Sequence, residues 1–427
     1  MALSLVPLFV GGQEQSPEMV CFLKEFPQRA GFNTHSYEFL PVQDTPAPEG
    51  YEAFYISHYG RHGSRSEWAG KLIYGPVVDV LSRAKDEGVA LTSAGDSLLR
   101  EATFILDKYD GMDGRLTPRG VREHAQLAQR MYERFPEVFL KGSKHIRAVS
   151  STVPRCIVSM AGFTARLQAL MPDLDMDLDT GEKFMAYISK AESDTVSTRT
   201  RAALLERYGG SNWMMPPAKD QETVFHNLFC DPQAGKTLVK DVNTFQHGIY
   251  AVAKVAEAYD IEDNLFRYLP FDVVYQFHEA NFLSAYLNQC NSQLNGDLRM
   301  PLAKDLVDVL IHQADDVIAG TRRNAADLTF GHDWPFLGLC CYLGLEGVGD
   351  RLSTEDAAAR WMASWNCPFA ANLQMIFFRK ADSPVLVKFL VNERETALPA
   401  LKPVQGPYYR WDDVKAFCET RLAHLDQ

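Results

Sequence analysis

Positive charge is in the minority in this chain: Lys and Arg total 43 against 55 Asp and Glu over 427 residues, a formal charge of -12. A nucleic-acid binder needs a broad basic surface for phosphate contacts, so that class is set aside, although a few arginines at one point can still dominate the local potential. No run approaches the roughly 18 apolar residues of a membrane-spanning helix. None of the eight cysteines are spaced CxxC, which argues against a zinc ribbon or a thioredoxin-type site. The adjacent pair Cys340 and Cys341 in LGLCCYLGL reads as small core residues. Internal repeats and low-complexity stretches are also missing.

What remains is an ordinary globular composition, 46% hydrophobic and 23% charged, in a chain long enough for two domains or for one with an insertion. The opening MALSLVPLFVGGQEQS is largely apolar through Val10 and uncharged until Glu14. It has the length of a secretory h-region but lacks a basic n-region. An atypical export signal, giving a periplasmic or secreted protein, and a plain N-terminal strand or tail both stay open.

Along the chain, FYIS (54–57), between Gly50 and Gly60, suits a buried strand ending in a loop. In LTPRGVREHAQLAQRMYERF, Thr117 offers a cap and Pro118 a first-turn proline. Val121, Ala125, Ala128, Met131 and Phe135 follow at helical spacing. HIRAVSS (145–151) predicts a second strand, leading into a helix with Thr152 as cap and Pro154 in its first turn. From 173 to 323 helical stripes dominate, and this stretch is expected as an α-helical insertion (cap) domain. ADLTFGHDW then predicts a strand and PFLGLCCYLGL a helix. NLQMIFFRK and VLVKFLVNE read as a hairpin across DSP, and WDDVKAFCETRL closes as a helix. The expected fold is α/β: a central sheet flanked by helices, built from residues 1–172 and 324–427 and interrupted by the insertion.

Three predicted strand ends carry charge: FYISHYGRHGSR, VSSTVPR and FGHD. In α/β sheets reactive groups gather at such ends. Arg61, Arg65 and Arg155 could grip a tetrahedral dianion through guanidinium forks, and their charge disfavours imidazolium at His62, leaving a neutral nucleophile. Asp333 is placed to protonate a departing alkoxide, with His332 as a further donor to the phosphate oxygens. Such a scheme needs no metal and no other cofactor. The partner implied is a small phosphorylated substrate, with no nucleic acid and no membrane span.

RHGSR (61–65), VSSTVPRC with Arg155, FGHD with His332 and Asp333, LTPRG, and the C-terminal FAANLQMIFFR and VLVKFLVNERETALP resemble the histidine acid phosphatase branch of the histidine phosphatase superfamily, the group that includes phytases and multiple inositol polyphosphate phosphatases. The resemblance spans about residues 50 to 425. It implies a phosphoglycerate-mutase-like central sheet and a phosphomonoesterase acting on phosphorylated polyols, inositol phosphates or sugar phosphates. It also implies a phosphohistidine at His62, with Arg61, Arg65, Arg155 and His332 as phosphate ligands and Asp333 as proton donor. Two departures bear on substrate: Ser66 and Glu67 stand where the family often has proline, and HD stands where inositol polyphosphate phosphatases commonly show HAE. A phosphoglycerate-mutase-like phosphotransferase and a degenerate phosphate-ligand-binding protein are the alternatives.

Other candidates have plainer readings. His278 and Glu279 in QFHEANFL fit a helix-surface or cap contact, and His58 either supports the loop or is simply packed. Lys190, Arg199, Arg201 and Arg207 default to a solvated helix face, though they could line a cleft and meet extra phosphates.

Overall fold

The structure, a computed structural model, describes residues 15–190, 194–209, 215–217 and 219–425. The apolar opening run discussed above lies outside the described residues. Eight strands form one sheet: β1 (Glu52–Arg61), β2 (His145–Ser150), β3 (Asp175–Thr180), β4 (Ala326–Gly331), β5 (Asn372–Arg379), β6 (Leu386–Val391), β7 (Arg394–Thr396) and β8 (Tyr409–Arg410). Their order is β3-β2-β4-β1-β5-β6-β7, with β8 also paired to β6. The first four in that order are parallel, and the sheet turns antiparallel at β5.

Register decides where the chemistry sits. Gly60 of β1 and Ser150 of β2 both lie opposite Phe330 of β4, and Arg61 lies opposite Gly331. The carboxyl ends of three strands distant in sequence are therefore level and adjacent.

The helices packed around this sheet include α1 (Gly70–Asp86), α2 (Ser93–Tyr109), α3 (Pro118–Arg134), α4 (Pro154–Leu170), α5 (Val242–Val255), α6 (Phe271–Gln289), α7 (Met300–Ala319), α8 (Asp333–Leu343) and α9 (Trp411–Leu425). The pleat of β5 sorts its side chains between two cores. Leu373, Met375 and Phe377 join one that holds residues of α1, α2 and α5–α8, whereas Ile376 and Phe378 join the other, against Leu127 and Met131 of α3 and Phe163 and Leu167 of α4. No helix among the described residues is long and apolar enough to cross a membrane.

Several sequence expectations change. The strand read as FYIS runs on through Gly60 to Arg61. A Cβ at Gly60 would lie 2.7 Å from Nε2 of His58, so the glycine makes room for a neighbouring ring inside the strand instead of ending it. The stretch from 173 opens with β3, which pairs with β2 at the sheet edge, before the helices begin. Helices α1 and α2, within the stretch 1–172 expected to build the central-sheet body, share a core with α5–α8. Thr152 does not cap α4: Val153 holds the cap position with no side-chain bond, and Ser151 Oγ accepts from the Val153 N–H instead.

Candidate active site

The loop after β1 is shaped by backbone contact with the start of α3. A Cβ at Gly63 would fall 2.5 Å from the Gly120 carbonyl, and one at Gly120 would fall 2.3 Å from the Ser64 carbonyl. Only glycine fits at either place. Thr117 fastens the junction: its N–H and its hydroxyl both donate to the Ser64 carbonyl, at 2.9 and 3.1 Å, and its Oγ1 also caps α3. Glu123, one turn further on, accepts from the Ser64 N–H and hydroxyl and from the Tyr37 N–H. LTPRG is thus the buttress of RHGSR.

His62 is buried, and its Nδ1 lies 3.0 Å from the Gly63 carbonyl. A carbonyl can only accept, so Nδ1 carries the proton and Nε2 keeps its lone pair. Burial first, and then the charges of Arg155, Arg61 and Arg65, hold its pKa well below the usual imidazole value. The sequence argument named the arginines, but desolvation is the larger cause.

Arg61 is 1% exposed. Its Nη1 donates to the carbonyls of Asn33, Cys367 and Pro368, and its Nη2 lies 3.3 Å from Asp333 Oδ2. Arg65 donates to the Ser66 carbonyl and lies 3.5 Å from Glu67. The guanidinium groups of Arg61 and Arg65 both face the Phe369 ring. Arg155, at the open first turn of α4, reaches His332 Nδ1 at 3.3 Å through Nη2. The Nε–H groups of Arg61, Arg65 and Arg155 are buried without a partner.

His332, expected as a donor to the phosphate oxygens, meets protein groups at both ring nitrogens. Its Nδ1 accepts from Arg155, and its Nε2 donates to Ser151 Oγ at 3.0 Å. Trp334 stacks on the ring at 4.3 Å, and burial followed by the Arg155 charge lowers its pKa to about 3. The ring is thereby held against Arg155 and Ser151. The Tyr59 hydroxyl takes the His332 N–H and occupies the space a Cβ on Gly331 would need.

Asp333 opens α8. Burial alone would raise its pKa, but Arg61, His332 and Arg65 outweigh that and hold it below the usual carboxylate range. The two departures at 66 and 67 have a local explanation. Ser66 Oγ accepts from the Tyr259 hydroxyl at 2.9 Å, and Glu67 pairs with Lys254 at 3.2 Å. Both tie the loop to the helical layer. Glu67 stays ionised, with a pKa of about 2, because Lys254 and Arg65 overcome its burial.

The remaining candidates lie elsewhere. His58 and His124 are buried neutral rings, each with a pKa of about 3 through burial, set among Phe163 and Phe330. His278 bonds the Ala30 carbonyl, while Glu279 pairs with Arg207 and Tyr208. Lys190 pairs with Asp305; Arg199 and Arg201 are exposed. Glu123, Ser151, Phe369 and Asn33 were missed by sequence reading. Of these, Ser151 lies in the VSSTVPR strand end, Phe369 opens FAANLQMIFFR, and Glu123 lies in the predicted helix beside LTPRG, whereas Asn33 carried no local signal.

Comparison with known proteins agrees with this geometry. No curated protein matches the chain in sequence. Among solved structures it is similar to the Bifidobacterium longum multiple inositol polyphosphate phosphatase in complex with inositol hexasulfate, at 15% identity and a TM-score of 0.69, covering 91% of this chain and 97% of that one. The phytase from D. castellii gives 12% identity and 0.65, covering 98% and 90%. The Hafnia alvei phytase in complex with tartrate gives 12% and 0.55, covering 88% and 98%. At such identities the likeness is one of fold. The family model that matches residues 61–392 begins at the first arginine of the loop described here and takes in both other strand ends, and by that match the chain belongs to the histidine phosphatase superfamily, branch 2.

Proposed function

We propose that the protein is a phosphomonoesterase working through a phosphohistidine at His62, with phosphorylated polyols such as inositol phosphates or sugar phosphates as substrates. The observation that carries this reading is the trio of buried, unpartnered Nε–H groups on Arg61, Arg65 and Arg155. Buried donors are normally satisfied, and three guanidinium donors held back around one imidazole are the complement of a tetrahedral anion. Charge supports it as well. Arg61, Arg65, Arg155 and Lys254 stand against Asp333 and Glu67, leaving two positive charges for a phosphoester dianion.

In this scheme the arginines seat the phosphoryl group and meet its developing charge. Nε2 of His62 attacks phosphorus as the bond to the ester oxygen breaks, and that oxygen takes a proton from Asp333. Water then displaces the imidazole, with Asp333 receiving the proton. The dianion, once bound, offsets the arginine charge that keeps Asp333 ionised in the free protein, so substrate binding itself raises the proton affinity of the acid. The polyol assignment draws on the inositol polyphosphate phosphatase and phytases to which the fold is similar. We also propose that the helices within 173–323 cap a catalytic body formed by 1–172 and 324–427. The apolar run at Ala2–Val10 supports a place outside the cytoplasm.

The test is a phosphate-release panel over inositol hexakisphosphate, lower inositol phosphates, sugar phosphates and p-nitrophenyl phosphate, repeated with Asp333→Asn. Release from polyol phosphates is expected. Asp333→Asn should lose about 10²- to 10⁴-fold on the alkyl esters and far less on p-nitrophenyl phosphate, whose leaving group barely needs a proton. Equal loss on both removes Asp333 from the acid role.

A further inference from the structure

Asn33 lies ahead of the family-matched range, yet it brackets the Arg61–Asp333 pair. Its side-chain Nδ2 donates to Asp333 Oδ2 at 2.8 Å, and its backbone carbonyl accepts from Arg61 Nη1 at 2.6 Å. The residue is buried, at 9% exposure. It follows Phe32, whose φ of 48° and ψ of -120° lie in a region that non-glycine residues rarely occupy. Such a backbone persists only where its surroundings over-determine it.

Here they do. The Tyr250 hydroxyl and His278 Nδ1 both donate to the Ala30 carbonyl, and Thr34 Oγ1 donates to the Gly31 carbonyl. The Ser36 N–H donates to Glu257, and Lys254 lies over the Phe32 ring. Helices α5 and α6 and the turn after α5 thus hold a strained N-terminal segment in place, and the segment delivers to the site the Asn33 side-chain amide and backbone carbonyl.

The two oxygens of Asp333 are treated differently. Oδ2 accepts from Asn33 and faces Arg61, whereas among the described residues Oδ1 has only the Trp334 N–H, at 3.1 Å. An oxygen already facing two donors is the poorer place for a proton. We propose that Asn33 is a positioning residue for proton transfer: by holding Oδ2 it fixes the rotation of the Asp333 carboxyl, so that Oδ1 carries the proton and presents it to the leaving group. The proton passes from Oδ1 to the ester oxygen as the P–O bond breaks and its electron pair stays on that oxygen. The resulting carboxylate returns to the Asn33 and Arg61 donors. Being neutral, the amide orients the acid without adding a second cation to suppress its protonation.

This inference rests on the phosphomonoesterase reading with Asp333 as acid, and the experiment separates the two. Asn33→Ala and Asn33→Ser are assayed with glycerol 2-phosphate and p-nitrophenyl phosphate across pH, beside Asp333→Asn. All the variants keep the backbone carbonyl that Arg61 uses. Asn33→Ala should lower kcat on the alkyl ester about tenfold and on the aryl ester less than about twofold, with KM changed little. Loss of a donor to the carboxylate should also move the alkaline limb of the alkyl-ester kcat upward by about half a pH unit. Asn33→Ser, which keeps a donor, should recover part of both effects, and it carries the test alone if the alanine variant does not fold. Alkyl and aryl rates falling together, or a limb that stays in place, would overturn the proposal. If Asp333→Asn itself fails to separate the two substrates, the parent reading falls; if it separates them and the Asn33 variants do not, only this inference falls.

Discussion

Two basic clusters in this molecule, each built on one fully buried cation, use the same residue types in opposite ways. In the first, Lys388, itself 1% exposed, bonds Asp44 and Glu395; Arg134 grips Asp44 with two parallel bonds, and Arg130 bonds Glu393 and the Leu40 carbonyl. Three cations meet three carboxylates. In the second, Arg61 is equally buried, yet it and its neighbours Arg65 and Arg155 each keep an Nε–H unpartnered, and charge is left over. A basic cluster that spends its donors on the protein is architecture, whereas one that withholds them suits the anion site proposed above.

The comparison breaks most visibly at one residue from each cluster. Arg155→Ala should cut kcat/KM by about 10²- to 10³-fold, as loss of one preorganised donor to a transition-state anion does. Its melting temperature should barely move, because the lost group crowds another cation: burial and the Arg65 charge both disfavour its protonated form. Arg134→Ala should do the reverse. It strips two bonds from Asp44 and should cost about 2 kcal/mol of stability, measured by denaturant unfolding, with kcat/KM within about twofold. A large activity loss from Arg134→Ala without destabilisation would erase the distinction.

A smaller effect separates a structural histidine from the proposed nucleophile. His35 sits between Glu257 and Glu38, each at 2.8 Å, and their pull overcomes its burial to raise its pKa to about 9. A pKa raised on folding gives stability that is complete below the unfolded value of about 6.5 and is lost as pH rises through about 9. The stability gap between the protein and His35→Gln should therefore narrow from about pH 6 to about pH 10. His62, whose pKa moves the other way, predicts the smallest signal. After allowance for substrate ionisation, kcat/KM should show no imidazole limb between about pH 7 and pH 5. A limb near the ordinary histidine value would contradict a neutral, buried nucleophile.

Much of this site was legible because each piece lies at or just beyond the end of an apolar run: RHG at the end of β1, SSTVPR at the end of β2 and HD after β4. Pro118 and Pro154 marked the helix starts equally well. What stayed hidden depends on contacts far away in sequence. Asn33 meets Asp333 across 300 positions, and nothing in GFNTHS announces it. β3 was hidden by composition. DMDLDT puts Asp175, Asp177 and Asp179 on one side, where His145, Arg147 and Lys183 answer them, so a charged edge strand carries little of the usual β signal.

The central claim is tested most directly by trapping the phosphoryl group. Enzyme mixed with a phosphomonoester labelled in its phosphoryl group, quenched in alkali within a turnover and digested, should yield label on the peptide bearing His62. The adduct should be stable to alkali and labile to acid, and it should be absent from His62→Ala, which should also release no phosphate. Label on any other residue, or turnover by His62→Ala near the parent rate, would contradict the account.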